Sequence, residues 1–285
     1  MLNKPHRVAV MKWENAVRKG YLAFPAIKAT AVAALAISLA VPLLARAEPA
    51  EVACDLPFNM LRLAHPLSRL AQRLATSEPI TIVAIGSSST AGAGASTASA
   101  TYPSRLAVEL ERHFPNRQIT VINRGVNGEE VNDMVKRFDS AVVDAKPDLV
   151  LWQFGTNSIV RDQNLNSGDT AIQDGLKKIR AIGADVVIID PQFAPKVIAN
   201  SHAAATVELM ATTAKYENVD LFRRYDVMKR WSEVDHIPFK TFVSQDGLHM
   251  NDWSYACMAK GLGMAIAEAA QRPVMAATMM SHGVR

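Results

Sequence analysis

Along the chain, short apolar runs alternate with longer stretches in which apolar residues recur every three or four positions. Ile80–Ala84 (ITIVA), Ile119–Asn123 (ITVIN), Asp148–Phe154 (DLVLWQF), Asp185–Asp190 (DVVIID) and a short run near Val219–Phe222 (VDLF) are dominated by β-branched and apolar side chains. That pattern predicts strands buried on both faces, as in a parallel sheet. Helical spacing predicts helices over Phe58–Ala75, interrupted at Pro66, and over Tyr102–Phe114, Glu129 to about Val143, Thr170–Ile182, His202–Tyr216, Arg224–Trp231 and Trp253–Ala270. Strands and helices that alternate in this way predict an α/β fold with a five-stranded parallel sheet and helices on both faces. No internal repeat or low-complexity linker divides it. The loops after the first three strands, and the loop before the last helix, then share the carboxyl edge of the sheet, where open α/β sheets bind ligands.

Ahead of this pattern stands a different one. Residues 1–28 carry Lys4, Arg7, Lys12, Arg18, Lys19 and Lys28 against Glu14 alone, and the apolar run from Ala29 ends in small residues at Ala45 and Ala47. A basic segment, an apolar segment and an A-x-A site predict a secretory signal peptide over 1–47, cut after Ala47, with Met11 as an alternative start. A retained membrane anchor is the alternative, although a run of 17 residues from Ala29 to Ala45 that contains Pro42 is short for a bilayer. The division expected is therefore signal 1–47, a helical segment 48–78 packed on the core, the main domain 79–271 and a fraying tail 272–285. The protein is expected in the periplasm or secreted, with no stable membrane insertion after cleavage.

Removing the leader changes the charge picture. Residues 1–47 hold seven Lys or Arg and one acid, a net +6, so the +4 of the whole chain leaves −2 on the remainder. The mature part has no basic cluster that predicts a nucleic-acid partner. Its two cysteines, Cys54 and Cys257, are free to pair in an oxidising compartment, and such a bridge would pin the amino-terminal segment to the last helix.

Candidate chemistry collects at the predicted strand ends. The first strand runs straight into Gly86-Ser87-Ser88-Ser89-Thr90, a turn that presents hydroxyls where a nucleophile sits in such sheets. Gly-Ser clusters also serve as plain turns and caps, so the three serines are open alternatives at this point. The second strand empties into Asn127-Gly128, the third into Gly155-Thr156-Asn157, and Asp246-Gly247-Leu248-His249 precedes the last helix. Neither His65 nor His113 has partners at metal-ligand spacing, and both read as packing or surface groups. His236 follows Asp235 directly, which is poor geometry for a hydrogen-bonded acid–base pair. Trp152 and Gln153 read as the buried end of a strand. Gln192, Phe193 and Lys196 lie on the loop after the fourth strand.

Taken together and in this order, Gly86–Gly92, Gly128, Asn157 and Asp246–His249 resemble the four blocks of the SGNH hydrolases, also called the GDSL esterase/lipase family. Ser87 stands where the family usually has aspartate, Ser158 replaces the aspartate that often follows the asparagine, and Met250 replaces a common proline. The resemblance implies a flavodoxin-like three-layer α/β/α sandwich. It implies Ser88 as nucleophile, His249 as base and Asp246 as the acid that orients it, with the Ser88 and Gly128 N–H groups and the Asn157 amide as oxyanion hole. Ser87 and Ser89 then become turn and capping residues, and Gln192 and Phe193 become substrate-facing candidates. No metal or cofactor is required by that chemistry. The function expected is an exported serine esterase removing a short acyl group, acetyl above all, from cell-envelope or extracellular carbohydrate. The alternatives are a lipase, lysophospholipase or thioesterase with a longer acyl pocket, and a carbohydrate-binding envelope protein without turnover.

Overall fold

The structure, a computed structural model, describes residues 52–76, 78–163 and 169–273. The expected leader with its cleavage site after Ala47, and all of the expected tail beyond residue 273, lie outside the described residues. Within them, the five apolar runs form strands β1 (Ile80–Gly86), β2 (Ile119–Gly125), β3 (Leu149–Gln153), β4 (Asp185–Ile189) and β5 (Asp220–Phe222). All pair in parallel, in the order β2-β1-β3-β4-β5. This is the flavodoxin-like order, whose connections reverse direction at β1 and β3 and open a crevice at their carboxyl ends. Every residue of central β3 is buried, whereas β2, at the edge, is partly exposed and carries Asn123 and Arg124.

Seven helices carry most of the flanking layers: α1 (Ser68–Leu74), α2 (Tyr102–His113), α3 (Val131–Lys136), α4 (Asp169–Ala181), α5 (Ala203–Tyr216), α6 (Arg224–Glu233) and α7 (Asp252–Gln271). Alternate strand residues face opposite layers. Ile80, Ile82, Ala84, Leu149 and Leu151 pack with Leu106 and Leu110 of α2 and with Leu262 and Ile266 of α7. Val83, Ile85, Val150 and Trp152 face the other way, onto Met134 of α3, Leu176 and Ile179 of α4 and Met210 of α5. Three layers result, as the apolar pattern requires, and each fully buried Leu or Ile contributes about 1.5–3 kcal/mol by leaving water.

Two expected helices are interrupted. Phe58–Ala75 is a turn at Phe58–Leu61 followed by α1, with non-helical chain over residues 62–67 between them, bent just before Pro66. The helix expected from Glu129 to about Val143 begins at Val131 and stops at Lys136; a turn at Phe138–Ala141 and a 3₁₀ turn at Val143–Ala145 follow. Arg137 marks the break, and its guanidinium reaches back to the Glu129 carboxylate (Nη2 to Oε2, 2.5 Å) and the Arg124 carbonyl (2.8 Å). That clamp favours a side-chain direction and backbone that continuous helix does not supply. Single turns at Ser88–Ala91, Thr156–Val160, Pro195–Ile198 and Phe239–Phe242 are too short to leave a periodic signal.

The amino edge of the sheet is tied down by carboxylates. Asp148 precedes β3, and Asp185 and Asp220 open β4 and β5. Asp148 accepts from Arg69 Nε (3.0 Å), Arg73 Nε (2.7 Å) and the Thr81 N–H (3.1 Å). Asp185 takes the Arg69 and Leu70 N–H groups at 3.2 and 2.9 Å, which satisfies open donors in the first turn of α1. Asp220 takes the His65 N–H at 2.9 Å. Burial pushes the Asp185 and Asp220 carboxyls up, and these backbone donors oppose the shift. Cys54 and Cys257 form a disulfide, Cα atoms 5.6 Å apart, between the start of the described chain and α7. Among the described residues, no helix is long and apolar enough to cross a membrane.

Candidate active site

β1 ends at Gly86, and the chain turns at once into the single helical turn Ser88–Ala91. The turn sits against the end of β2, where a Cβ on Gly125 would lie 2.0 Å from the Ala91 nitrogen, so only glycine allows the approach. Of the three serines, Ser87 and Ser89 are turned inward, 2% and 0% exposed, while Ser88 is 9% exposed. The Ser87 hydroxyl, at a helix N-cap position, makes no cap bond; it donates to Gln153 Oε1 at 3.2 Å. The same oxygen accepts the Ser87 N–H (3.0 Å) and Thr90 Oγ1 (3.2 Å). Ser89 Oγ donates to Gln192 Oε1 at 3.3 Å.

Ser88 faces the loop before α7. Its Oγ lies 2.8 Å from His249 Nε2, and His249 Nδ1 lies 2.5 Å from Asp246 Oδ2. Asp246 is held by its neighbours: Oδ1 accepts Ser244 Oγ (2.7 Å) and the N–H groups of Leu248 and His249 (both 2.9 Å). Partial burial opposes ionisation, but the bonds from His249, Ser244 and the two N–H groups outweigh it and hold the carboxyl well below the usual carboxylate range. An ionised Asp246 keeps the proton of neutral His249 on Nδ1 and leaves Nε2 as an acceptor toward Ser88. Gly94 lies against the backbone that carries His249. At φ +86° it takes a conformation that L side chains rarely adopt, and an added Cβ would stand 2.2 Å from the Met250 oxygen and 3.1 Å from the His249 Cβ.

Gly128 and Asn157 come together on the loops after β2 and β3. Asn157 Nδ2 donates to the Glu129 carbonyl at 2.8 Å, which leaves its second amide hydrogen for another acceptor. Gly128, at φ +80°, has its carbonyl fixed by Arg161 Nη2 at 2.9 Å, while Arg161 Nη1 pairs with Glu130 at 2.7 Å. Among the described residues the Ser88 and Gly128 N–H groups have no acceptor. Open backbone donors, one at the candidate nucleophile itself and one on the loop after β2, are of the kind that suits a carbonyl oxygen gaining charge.

The remaining candidates read from the sequence fall elsewhere, and Gln192 and Phe193 lie under the site instead of on its surface. Gln192 is fully buried, and Phe193 is 6% exposed, its ring against Tyr225 (5.2 Å between centroids) and Phe239 (5.8 Å). Lys196 is exposed, and its N–H ties the same loop to the Gly247 carbonyl at 3.0 Å. His236 is exposed, and His65 belongs to the Asp220 anchor at the far edge. Gln153 is the buried strand end the sequence suggests, but the bonds of Gln153 and Thr156 within the site, and any part for Arg161 and Ser244, are not evident from the sequence. Gln153 carried a signal, a polar residue closing an otherwise apolar central strand. Among the described residues, no group of three or more His, Cys, Asp or Glu is placed to hold a metal ion.

Comparison with known proteins bears on this geometry. The model of the Non-GDSL lipase-like family matches residues 53–272. No curated protein sequence matches. Among solved structures, a two-domain esterase active on acetylated mannans superposes with a TM-score of 0.62 at 18% identity, over 76% of this chain and 58% of that one. This chain therefore spans little more than half the length of that esterase. A lipolytic protein of the G-D-S-L family from Desulfitobacterium hafniense gives 0.54 at 18% identity, over 65% and 98%. A catalytic mutant of an acetylxylan esterase from Geobacillus stearothermophilus gives 0.56 at 14% identity, over 67% and 96%. At such identities the likeness is one of fold.

Proposed function

This chain belongs to the Non-GDSL lipase-like family, and we propose that it is a serine ester hydrolase whose nucleophile is Ser88. The carrying observation is the line Ser88 Oγ, His249 Nε2, His249 Nδ1, Asp246 Oδ2, at 2.8 and 2.5 Å. In this reading His249 takes the Ser88 proton as Oγ attacks the acyl carbon, and Asp246 stabilises the imidazolium that forms. The carbonyl oxygen becomes an oxyanion and receives the Ser88 and Gly128 N–H groups and the Asn157 amide. The tetrahedral species collapses as His249 returns the proton to the leaving alkoxide, which departs as alcohol and leaves an acyl-Ser88 ester. Water, deprotonated by His249, then releases the acid and restores Ser88.

The acyl group is read as short, acetyl above all, and the alcohol as a carbohydrate. Support comes from fold neighbours that act on acetylated mannans and from an acetylxylan esterase among them. Export is part of the reading, supported by the basic and apolar leader and by a disulfide of the kind that persists in oxidising compartments. Exported protein should begin at Glu48 by amino-terminal sequencing; a membrane-bound product beginning at Met1 or Met11 would favour the anchor.

Two measurements test the activity. A fluorophosphonate should label the protein at Ser88, and p-nitrophenyl esters from acetate to palmitate, beside acetylated mannan, xylan and peptidoglycan, should show the highest kcat/KM at acetate. A maximum at long chains would replace the acetyl reading by a lipase or thioesterase. Absence of both labelling and turnover would leave a binding protein.

A further inference from the structure

The fully buried amide of Gln192 touches all three catalytic segments at once. Its Oε1 accepts Ser89 Oγ at 3.3 Å from the nucleophile turn and Thr156 Oγ1 at 2.9 Å from the turn that bears Asn157. Its Nε2 donates to the Leu248 carbonyl at 3.1 Å, next to His249. We propose that Gln192 is a positioning residue that sets His249 against Ser88 by joining these three segments, a proposal that rests on the serine-hydrolase reading above.

The Leu248 bond is the decisive one. That carbonyl and the His249 N–H belong to one peptide plane, with the N–H held by Asp246 Oδ1 at 2.9 Å and the oxygen held by Gln192. Fixing both ends fixes the plane, and the plane sets the direction in which the His249 side chain leaves the backbone. The task demands an amide. An acceptor must serve two hydroxyls while a donor, on the same flat group, serves a carbonyl; an ionised carboxylate lacks the donor and a leucine lacks both. Asparagine is one methylene too short for the same reach. Gln153, the other buried amide of the site, differs in kind, because its Oε1 serves Ser87 and Thr90 of the nucleophile turn alone.

The test compares Gln192→Glu and Gln192→Leu with the native enzyme on p-nitrophenyl acetate, with kcat counted per fluorophosphonate-titrated site. Gln192→Leu should lose about 10–100-fold in kcat with KM changed less than about twofold, the signature of a misaligned base, and Gln192→Glu should lose as much wherever its carboxyl is ionised. The pH profile separates positioning from bulk stability. As pH falls, the carboxyl introduced by Gln192→Glu takes up a proton and can again donate to the Leu248 oxygen, so its kcat relative to native should rise toward acid, while the Gln192→Leu ratio stays flat. Native kcat per titrated site in Gln192→Leu, or a Gln192→Glu variant no more active than Gln192→Leu at the acid end of the profile, overturns the proposal. If neither variant folds, the pair Ser89→Ala and Thr156→Val removes the partners of Oε1, and an unchanged kcat in that double variant overturns it equally. Ser88→Ala is the control: retained turnover there defeats the serine reading itself, whereas an inactive Ser88→Ala beside unaffected Gln192 variants defeats the positioning role alone.

Discussion

Both edges of the parallel sheet bury polar side chains, but they are made of different chemistry. At the amino edge, Asp148, Asp185 and Asp220 take arginine side chains and the open N–H groups of the segment from His65 to Leu70. At the carboxyl edge, neutral groups form two bonded sets, Ser87 and Thr90 with Gln153, and Ser89 and Thr156 with Gln192. Carboxylates accept only, so they suit an edge where helix donors need to be satisfied. Beside Ser88 an anion would oppose the charge that develops on the substrate oxygen, and neutral amides brace the turn without adding one. Two carboxyls stand apart from this pattern: Asp246, ionised and set against His249, and Asp190. Asp190 lies just past β4, fully buried, and burial pushes its carboxyl up to about 7 despite the Tyr225 N–H and the nearby Arg224 guanidinium.

If the division is real, changes at the carboxyl edge should remove activity and leave stability, and changes at the amino edge should do the reverse. The largest effect is expected from Ser88→Ala, a loss of about 10⁴–10⁶ in kcat on p-nitrophenyl acetate with the Tm essentially unchanged. Ser87→Ala and Ser89→Ala, which lose one bond each to the amides of Gln153 and Gln192 and leave the Leu248 bond of Gln192 in place, should retain a substantial fraction. Next, Asn157→Ala should cost about 10²–10³ in kcat with little change in KM, since its free amide hydrogen serves charge that exists mainly in the transition state.

At the amino edge, Asp148→Ala leaves Arg69, Arg73 and the Thr81 N–H without their acceptor. Removing one partner of such a buried set costs about 3 kcal/mol, the low end because both arginines reach solvent, and should lower the Tm by about 6–12 °C in calorimetry while kcat per folded molecule holds. A comparable loss of kcat would erase the distinction between the two edges. The last effect is a slope. Because the folded state raises the Asp190 carboxyl to about 7, the folded protein holds that proton longer than the unfolded chain does. Its contribution to stability is therefore complete below about pH 4 and declines as pH rises through about 7. Urea midpoints of Asp190→Asn across that range should lack this decline, whatever constant offset the substitution adds. Asp246, with its lowered carboxyl, works in the opposite sense and loses its contribution as pH falls.

Much of the fold was legible because burial on both faces writes a continuous apolar run into each strand, and all five runs became strands within two residues of their expected ends. Helix continuity was less legible. The break after Lys136 depends on Arg137 meeting Glu129 and the Arg124 carbonyl, contacts that no local periodicity encodes. At the site, the spacing of Ser88, Gly128, Asn157, Asp246 and His249 could be read from sequence blocks. The placement of Gln192 could not: its position after β4 reads as an exposed loop, and only the approach of residues 89, 156 and 248 makes it buried and bonded.

The bridge from Cys54 to Cys257 spans 203 positions, and every candidate catalytic residue lies between its two ends. In topological terms the working part of the protein is a covalent ring closed by sulfur. A protease that cuts once within that ring converts a circle into a line and releases nothing. With Ser88 on one side of such a cut and His249 on the other, both would still belong to one molecule, running as a single band until a reductant opens the bridge and as two bands afterwards.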